Sequence, residues 1–303
     1  MLQTFSATGV TGRHGATADL LVKEYGSGLD TVIALHGGPG AAGGIAPLAR
    51  ELGKRWHVLE PFQRSSGGRP LTVAKHIEDL DVLVRARRGH DHPVLVGHSW
   101  GAMLALAYAA EHPTVPAALV LIGCGTFSRG ARAAFEAQLE ARLAPADRVR
   151  LARIRHTEAS ADRRLAAIGR LMTQVHGHDG VVAEEDAAEA DALAHEETWA
   201  DMLRPHRDGG FPAAFSAIRV PVLMIHGEAD LHPGVVISEH LRSRIPHLEY
   251  RELPGCGSTP WLERQATQAF FDALQPWMKA RLTTLREQPA EWDDSALLCT
   301  APS

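Results

Sequence analysis

The sequence has few cysteines, little excess charge and no long apolar run. Only three of its 303 residues are cysteines, and they form no CxxC pair, so neither a disulfide framework nor a zinc knuckle is expected. No apolar stretch approaches the roughly 18 residues of a membrane-spanning helix, and residues 1–4 do not begin a signal peptide. A formal net charge of −5 offers no basic surface for nucleic acid. These absences predict a soluble cytoplasmic protein with reduced thiols that binds neither nucleic acid nor a membrane.

Short β-branched runs alternate with helical patterns along most of the chain. Residues 2–8 and 17–25, separated by a glycine-containing turn at 12–15, predict an opening hairpin. Apolar residues at helical spacing predict a crossover helix over residues 72–87. Further strands are predicted at residues 31–35, 56–59, 94–96, 118–122, 222–225 and 248–253. This alternation is typical of an α/β fold with a doubly wound, mostly parallel sheet.

The pattern changes between residues 125 and 217, where strand-like runs disappear and Ala, Arg and Glu dominate. Such a stretch is too long for a loop. It predicts an all-helical cap, inserted over the carboxyl edge of the sheet where open α/β sheets bind ligands. The acidic run at 182–190 is more typical of a solvated helix face than of a binding site. We expect the following domains: a core of residues 1–124 and 217–282, a helical cap at 125–216, and a C-terminal extension at 283–303.

The pentapeptide GHSWG at residues 97–101 contains the strongest candidate for chemistry. It lies between the apolar run 93–96 and a small-residue helical run at 102–110. A strand, a sharp turn and a helix in this order form a nucleophile elbow, which presents a serine hydroxyl above the sheet. Glycines two positions before and after the serine let the strand and the helix approach each other closely. Ser99 is therefore the candidate nucleophile.

Two backbone donors are candidates for an oxyanion hole. The run HGGPG at residues 36–40 directly follows the strand predicted at 31–35, and its glycines permit a turn that aims N–H groups at a carbonyl oxygen. We expect the N–H groups of Gly38 and of Trp100, the residue after the nucleophile, to be the donors. An ordinary strand-to-helix loop is the alternative interpretation of the glycine run.

The acid is expected after a later strand, in the chain order serine, acid, histidine. Asp230 follows the run 222–225 by a few residues and is the candidate. An aspartate there would orient an imidazole and stabilise its charged form. Glu228 is the weaker alternative, because it lies nearer the strand end and is expected to face solvent. His232 is expected to be a loop histidine, because two residues is too short a separation from the acid for the usual base.

The combination of HGGPG at 36–40, GHSWG at 97–101, a helical insertion and GEAD at 227–230 resembles the α/β-hydrolase superfamily, and within it the proline iminopeptidase-like branch. The resemblance covers residues 17–280, and HGGPG and the tryptophan after the nucleophile are its most specific parts. Where the branch reads DQRG after the fourth strand, residues 61–67 keep the Gln-Arg pair and lack the aspartate. The resemblance implies a serine hydrolase. Aminopeptidase specificity would also need cap carboxylates for a substrate ammonium, which the sequence does not identify.

The main departure from this branch lies after the last strand. Relatives of this type resemble Gly-Cys-Gly-His followed by Pro-Trp-Leu-Glu, whereas residues 255–263 read GCGSTPWLE. Ser258 therefore stands at the histidine position of a triad with Ser99 and Asp230. A serine hydroxyl is not basic at neutral pH and cannot take a proton from the nucleophile. The chain is expected to be a poor hydrolase.

Four explanations of Ser258 remain open. The serine was introduced to trap a substrate or acyl species; the fold serves a lyase or cyclase step that needs no activated nucleophile; the chain is a binding protein or degenerate enzyme; or another histidine supplies the base. His36 and His98 are expected to be structural rather than catalytic. The histidines of the predicted cap could reach inward, namely His156, His176, His178, His195 and His206.

The expected partner is a small-molecule substrate. An amide with a free amino end, a small ester and a lactone all fit acyl transfer, and six tryptophans allow an apolar pocket. The mechanism implies no metal and no organic cofactor. The sequence identifies neither the substrate-binding residues nor the oligomeric state.

Overall fold

The computed structural model describes residues 2–6, 19–67, 70–86, 92–181, 190–208 and 213–287. The strands are β1 (Leu2–Ser6), β2 (Asp19–Tyr25), β3 (Thr31–Leu35), β4 (His57–Pro61), β5 (Val94–His98), β6 (Ala118–Ile122), β7 (Val222–Gly227) and β8 (Glu249–Leu253). The helices are α1 (Ala46–Leu52), α2 (Val73–Ala86), α3 (Trp100–Glu111), α4 (Arg129–Arg142), α5 (Pro145–Thr157), α6 (Ala161–His176), α7 (Ala192–Asp208), α8 (Gly234–Arg242) and α9 (Thr267–Glu287).

The strands form one sheet in the order β1-β2-β4-β3-β5-β6-β7-β8. Strand β2 is antiparallel to both of its neighbours, β1 and β4. All the other neighbouring strands of the sheet, from β4 to β8 in this order, are parallel to each other. The α/β prediction and the opening hairpin are confirmed, although the turn predicted at 12–15 lies outside the described residues. Since carboxyl ends of parallel strands meet at one edge, the loops after β3, β5, β6 and β7 lie close together.

Side chains alternate between the two faces of the sheet, and helices cover both. Ile33 and Leu35 of β3 pack with residues of α2, α3 and α8 in one core cluster. Val32 and Ala34 pack with residues of α1 and α9 in a second cluster. This double burial explains why the central strands read as continuous apolar runs rather than alternating ones.

Helices α4 to α7 occupy the stretch between β6 and β7, which we call the helical segment (residues 125–216). Its described residues contain no strand, only an isolated bridge from Gly180 to Glu263. Leu143, Leu171 and Val175 form a small core there with Leu231, from the loop after β7. The helical segment therefore packs beside the carboxyl edge of the sheet. The acidic run predicted to be a solvated face lies outside the described residues at 182–189.

The C-terminal helix α9 continues past residue 282 and ends at Glu287, so its last turn lies within the C-terminal extension predicted at residues 283–303. The rest of that predicted extension, residues 288–303, lies outside the described residues. None of the helices described is long and apolar enough to cross a membrane.

Candidate active site

Ser99 has a strained backbone at the junction of β5 and α3. Its φ is 51° and its ψ −114°, and it is the only non-glycine residue with positive φ in the described part of the chain. A Cβ at Gly97 would lie 2.3 Å from the carbonyl oxygen of Gly101, and one at Gly101 would lie 2.1 Å from that of Leu35. Strand and helix can therefore approach only because these positions are glycines.

The strain at Ser99 should be measurable as stability. A non-glycine residue in this region costs about 1–3 kcal/mol, whereas glycine tolerates it. We expect Ser99→Gly to have a free energy of unfolding about 1 kcal/mol higher than Ser99→Ala, measured by urea denaturation. The same two substitutions at the exposed Ser65, which has no positive φ, should give the opposite order. A glycine variant no more stable than the alanine variant would contradict the strain.

The glycine loop after β3 lies directly beside Ser99. A Cβ built on Gly37 would lie 3.1 Å from the Cβ of Ser99, and Gly38 has a φ of 60°. Trp100 is the first residue of α3, where a backbone N–H has no partner within the helix. The structure thus brings the two expected donors, Gly38 and Trp100, to the same region as the candidate nucleophile.

Gln63 ties the glycine loop to the elbow. Its Oε1 accepts from the indole Nε1 of Trp100 at 2.7 Å, and its Nε2 donates to the carbonyl of His36 at 3.3 Å. The neighbouring Arg64 donates to both carboxylate oxygens of Asp79, at 2.8 and 2.5 Å. Both residues of the Gln-Arg pair therefore have a structural role, because their side chains hold neighbouring segments together.

Helix α7 of the helical segment lies over the glycine loop. The Nδ1 of His195 donates to the carbonyl of Pro39 at 2.8 Å, and the N–H of Asp191 donates to that of Gly40 at 2.7 Å. Carboxylates of the same region also accept from backbone N–H groups of the core: Asp191 from Ser66, Glu197 from Leu71 and Asp201 from Val73. This part of the helical segment is therefore attached to the loop that contains the candidate oxyanion donors.

Asp230 and Ser258 face the same point at the end of β6. A Cβ built on Gly123 would lie 3.1 Å from the Oγ of Ser258 and 3.2 Å from the Oδ2 of Asp230. Both residues are buried, and that Oδ2 has no hydrogen-bond partner. Glu228 is exposed and accepts from the N–H of Gly255. Of the two candidate acids, Asp230 is therefore the one beside residue 258.

Both the carbonyl and the N–H of Ser258 make hydrogen bonds. Its carbonyl accepts from the Nε2 of His98 at 3.1 Å, and its N–H donates to the carbonyl of His176 at 3.1 Å. Ser258 thus lies between the residue before the candidate nucleophile and the last residue of α6. Burial lowers the pKa of both His98 and His176 to about 4, so both rings are uncharged at neutral pH.

Glu263 fixes this part of the helical segment to the loop of Ser258. Its fully buried carboxylate accepts from the N–H groups of His178 at 3.0 Å, Asp179 at 2.7 Å and Gly257 at 3.2 Å. The end of α6 is therefore held in place beside residue 258.

Three histidines surround the Asp230 carboxylate, an arrangement that sequence reasoning missed. His232 contacts its Oδ1 through both the backbone N–H (2.9 Å) and the ring Nδ1 (3.2 Å). His226 Nε2 lies 3.6 Å from Oδ2, and His176 lies in the same cluster. Thus His232 is a loop residue as expected, but its ring contacts the acid directly. The histidines in HGEADLH were a visible signal, whereas nothing in the sequence pointed from His176 to Asp230.

These contacts decide the charge state of Asp230. Burial raises its carboxyl pKa, but the hydrogen bonds and the charge interaction with His232 outweigh burial, and the pKa lies well below its usual range. Burial lowers the pKa of the His226 imidazole to about 4. Asp230 is therefore a buried carboxylate that stays ionised at neutral pH.

The remaining histidines considered from the sequence are placed as follows. His156 is exposed on α5, and His36, at the start of the glycine loop, is buried. His178 contributes its backbone N–H to Glu263. The side chain of His206 lies outside the described residues.

Comparison with known proteins places this geometry in context. A family model described as alpha/beta hydrolase fold matches residues 30–264. A proline iminopeptidase of Lactobacillus helveticus is 23% identical over 284 residues, covering 82% of this chain and 89% of that protein. A probable proline iminopeptidase of Leptolyngbya boryana is 34% identical over 101 residues, 30% of each protein. The structure of a thermophilic esterase from Thermogutta terrifontis has a TM-score of 0.61 at 17% identity, covering 93% of this chain and 99% of that one.

Proposed function

The chain belongs to the alpha/beta hydrolase fold family, and from that premise we propose that it is a serine hydrolase that transfers the acyl group of a small amide, ester or lactone to Ser99. The observation that supports this most is the backbone of Ser99, with its φ of 51° between β5 and α3. Strain of about 1–3 kcal/mol persists where the surroundings enforce it, and such residues cluster at active sites.

The proposed mechanism is that of a form in which Ser258 is replaced by histidine. The hydroxyl of Ser99 attacks the substrate carbonyl while the histidine, oriented by Asp230, accepts its proton. The N–H groups of Gly38 and Trp100 stabilise the tetrahedral oxyanion, and each such donor is typically worth about 10² to 10³ in rate. The histidine then gives the proton to the departing alcohol or amine, and water hydrolyses the acyl ester of Ser99; no step uses a metal or an organic cofactor.

We further propose that Ser258 strongly impairs this activity. Its hydroxyl lies where the base would meet Asp230, and the Oδ2 of that aspartate is left without a partner. A serine hydroxyl cannot accept the proton of Ser99 at neutral pH. Without its base, the nucleophile is a weak alcohol, and catalysis falls to what binding and the oxyanion donors supply.

The helical segment is proposed to be a cap that shapes the substrate site, since α7 contacts the glycine loop. The carboxylates of Asp191, Glu197 and Asp201 are occupied by backbone N–H groups of the core. These three contacts therefore hold the region of α7 against the core.

Covalent labelling tests the assignment of the nucleophile. In the Ser258→His variant, a fluorophosphonate should react with Ser99, because a restored base makes the hydroxyl nucleophilic. Mass spectrometry of the digested protein should find the adduct on the peptide that contains Ser99. Adding Ser99→Ala to this variant should abolish the label. Adding Ser65→Ala instead, at an exposed serine outside the helical segment, should leave the label intact.

Each negative outcome of the labelling and activity assays would support a different alternative. A folded Ser258→His variant that is labelled at another serine would refute Ser99 as the nucleophile. Ligand binding without turnover in either form would favour a binding protein. Conversion of a substrate by the native chain, with Ser258→His leaving esters and amides untouched, would favour a lyase or cyclase.

A further inference from the structure

A second set of polar groups lies next to the candidate triad. It consists of His176, the last residue of α6, with Asp230 and His232 from the loop after β7. One donor atom of each residue lies within 4.8 Å of the other two. The proposed acyl transfer requires neither histidine, so this cluster calls for a separate explanation.

The spacing of the donors fits a small metal ion. Zinc binds histidine nitrogen and carboxylate oxygen at about 2.0–2.2 Å, which puts neighbouring ligands of a tetrahedral site roughly 3.3 Å apart. Asp230 Oδ1 and His232 Nδ1 are 3.2 Å apart. A ring nitrogen of the third ligand, His176, lies within 4.8 Å of the ligand atoms of Asp230 and His232, so a small shift would bring it to the same ion. Its backbone is already fixed there by the N–H of Ser258.

The charge and burial of the aspartate also suit a cation. Asp230 is buried, and its Oδ1 faces the ring Nδ1 of His232. A buried carboxylate is costly unless it is paired, and an ion bound at Oδ1 would pair it. The exposed Arg142 opposes a cation, but its guanidinium is engaged by the carbonyl of Ala229.

Other groups around the carboxylate leave this site open. His98 is engaged with the carbonyl of Ser258. His226 packs on the opposite oxygen of Asp230, at 3.6 Å from Oδ2. Phe135 of α4 stacks on the ring of His232, with centroids 4.4 Å apart, and so fixes the plane of one ligand.

We propose that His176, Asp230 and His232 form a binding site for a divalent transition metal ion, of which Zn²⁺ fits best. Two imidazoles and one carboxylate are a ligand set that zinc uses in proteins, with a fourth position left for water. Imidazole donors disfavour Mg²⁺ and Ca²⁺, which prefer oxygen. The site joins the helical segment to the loop after β7, so metal binding would also stabilise their contact.

Isothermal titration of the tag-free, chelator-treated full chain with Zn²⁺ tests the proposal. The native protein should bind about one ion per chain with a saturable isotherm, and Co²⁺ should give the visible bands of a tetrahedral site. His176→Gln and His232→Gln should each weaken Zn²⁺ binding by at least roughly 10 to 100-fold, the range that loss of an outer-shell partner alone can reach. His156→Gln, at an exposed histidine of α5, should bind like the native chain. Mg²⁺ should not bind.

The proposal is overturned if Zn²⁺ shows no saturable binding, or if both cluster variants bind like the native chain. Equal loss in the His156→Gln control would point to adventitious surface binding and would also overturn it. Circular dichroism confirms that each variant is folded, and the thermal shift of the native protein with Zn²⁺ gives a second readout. The site shares Asp230 with the proposed triad, but Ser99→Ala should leave Zn²⁺ binding unchanged, so failure of the metal proposal can be told from failure of the proposed hydrolase activity.

Discussion

Replacing Ser258 by histidine should raise the rate of p-nitrophenyl ester hydrolysis by about 10² to 10⁴-fold, the usual contribution of a positioned general base. The structure supplies the partner for the new ring. Asp230 Oδ2 lies beside the Ser258 Oγ, both close to Gly123, and is buried without a hydrogen bond. An imidazole at this position can donate to that oxygen and accept the proton of Ser99, as the base of a triad does.

The pH dependence of kcat/KM in the Ser258→His variant shows whether a faster rate comes from a restored base or only from better folding. In the Ser258→His variant, kcat/KM should rise with pH as the introduced imidazole loses its proton. Ser258→Asn is the matched control, because it adds a polar side chain without a base and should give no gain. Adding Asp230→Asn to the histidine variant should remove most of the increase, since the ring loses the group that orients it. A histidine variant that is folded and no faster than the native chain would contradict the proposed impairment.

Acidification from pH 7 to pH 5 should sharply lower the free energy of unfolding. Burial lowers the pKa of each of four histidines, His36, His76, His98 and His226, to about 4. In the unfolded chain their pKa is about 6.5. Between these values the unfolded state binds more protons than the folded one, so stability decreases as pH falls. Each ring contributes roughly 2 kcal/mol to the loss by pH 5, against a total stability of about 5–15 kcal/mol.

Urea denaturation at several pH values checks this expectation. Asp230 lowers the stability in the same direction but at lower pH, because its lowered pKa keeps it ionised in the folded state until the pH falls well below this window. His76→Gln should reduce the pH dependence by about one proton, whereas the exposed His156→Gln should leave it unchanged. A free energy of unfolding that stays constant from pH 7 to pH 5 would contradict neutral burial of these histidines.

Much of the fold could be predicted because its signals are local. Runs such as residues 31–35 and 118–122 are apolar throughout, as expected of strands buried on both faces, and they are β3 and β6 in the structure. The elbow could be predicted because Gly97 and Gly101 lie on either side of Ser99. The last turn of α9 had no such signal, because the sequence after residue 282 loses its apolar character while the helix continues to Glu287.

The environment of the site could be predicted only in part. The sequence identified Asp230 and Ser258 as the expected pair, and the structure brings them together at Gly123. It gave no indication that α7 lies on the glycine loop or that Glu263 holds the end of α6 against residue 258. These contacts join segments far apart in the chain, and no short pattern of residues encodes them.

By itself, the sequence determined the order of strands and helices, the strained turn at Ser99 and the lack of a base at residue 258. Residues within a few positions of each other set these features, through periodicity, glycine and side-chain chemistry. Only the tertiary structure decided that His176 and His232 lie in one cluster with the buried Asp230. That arrangement depends on how the helical segment packs on the sheet, because apolar burial and buried hydrogen bonds bring together residues that are distant in sequence.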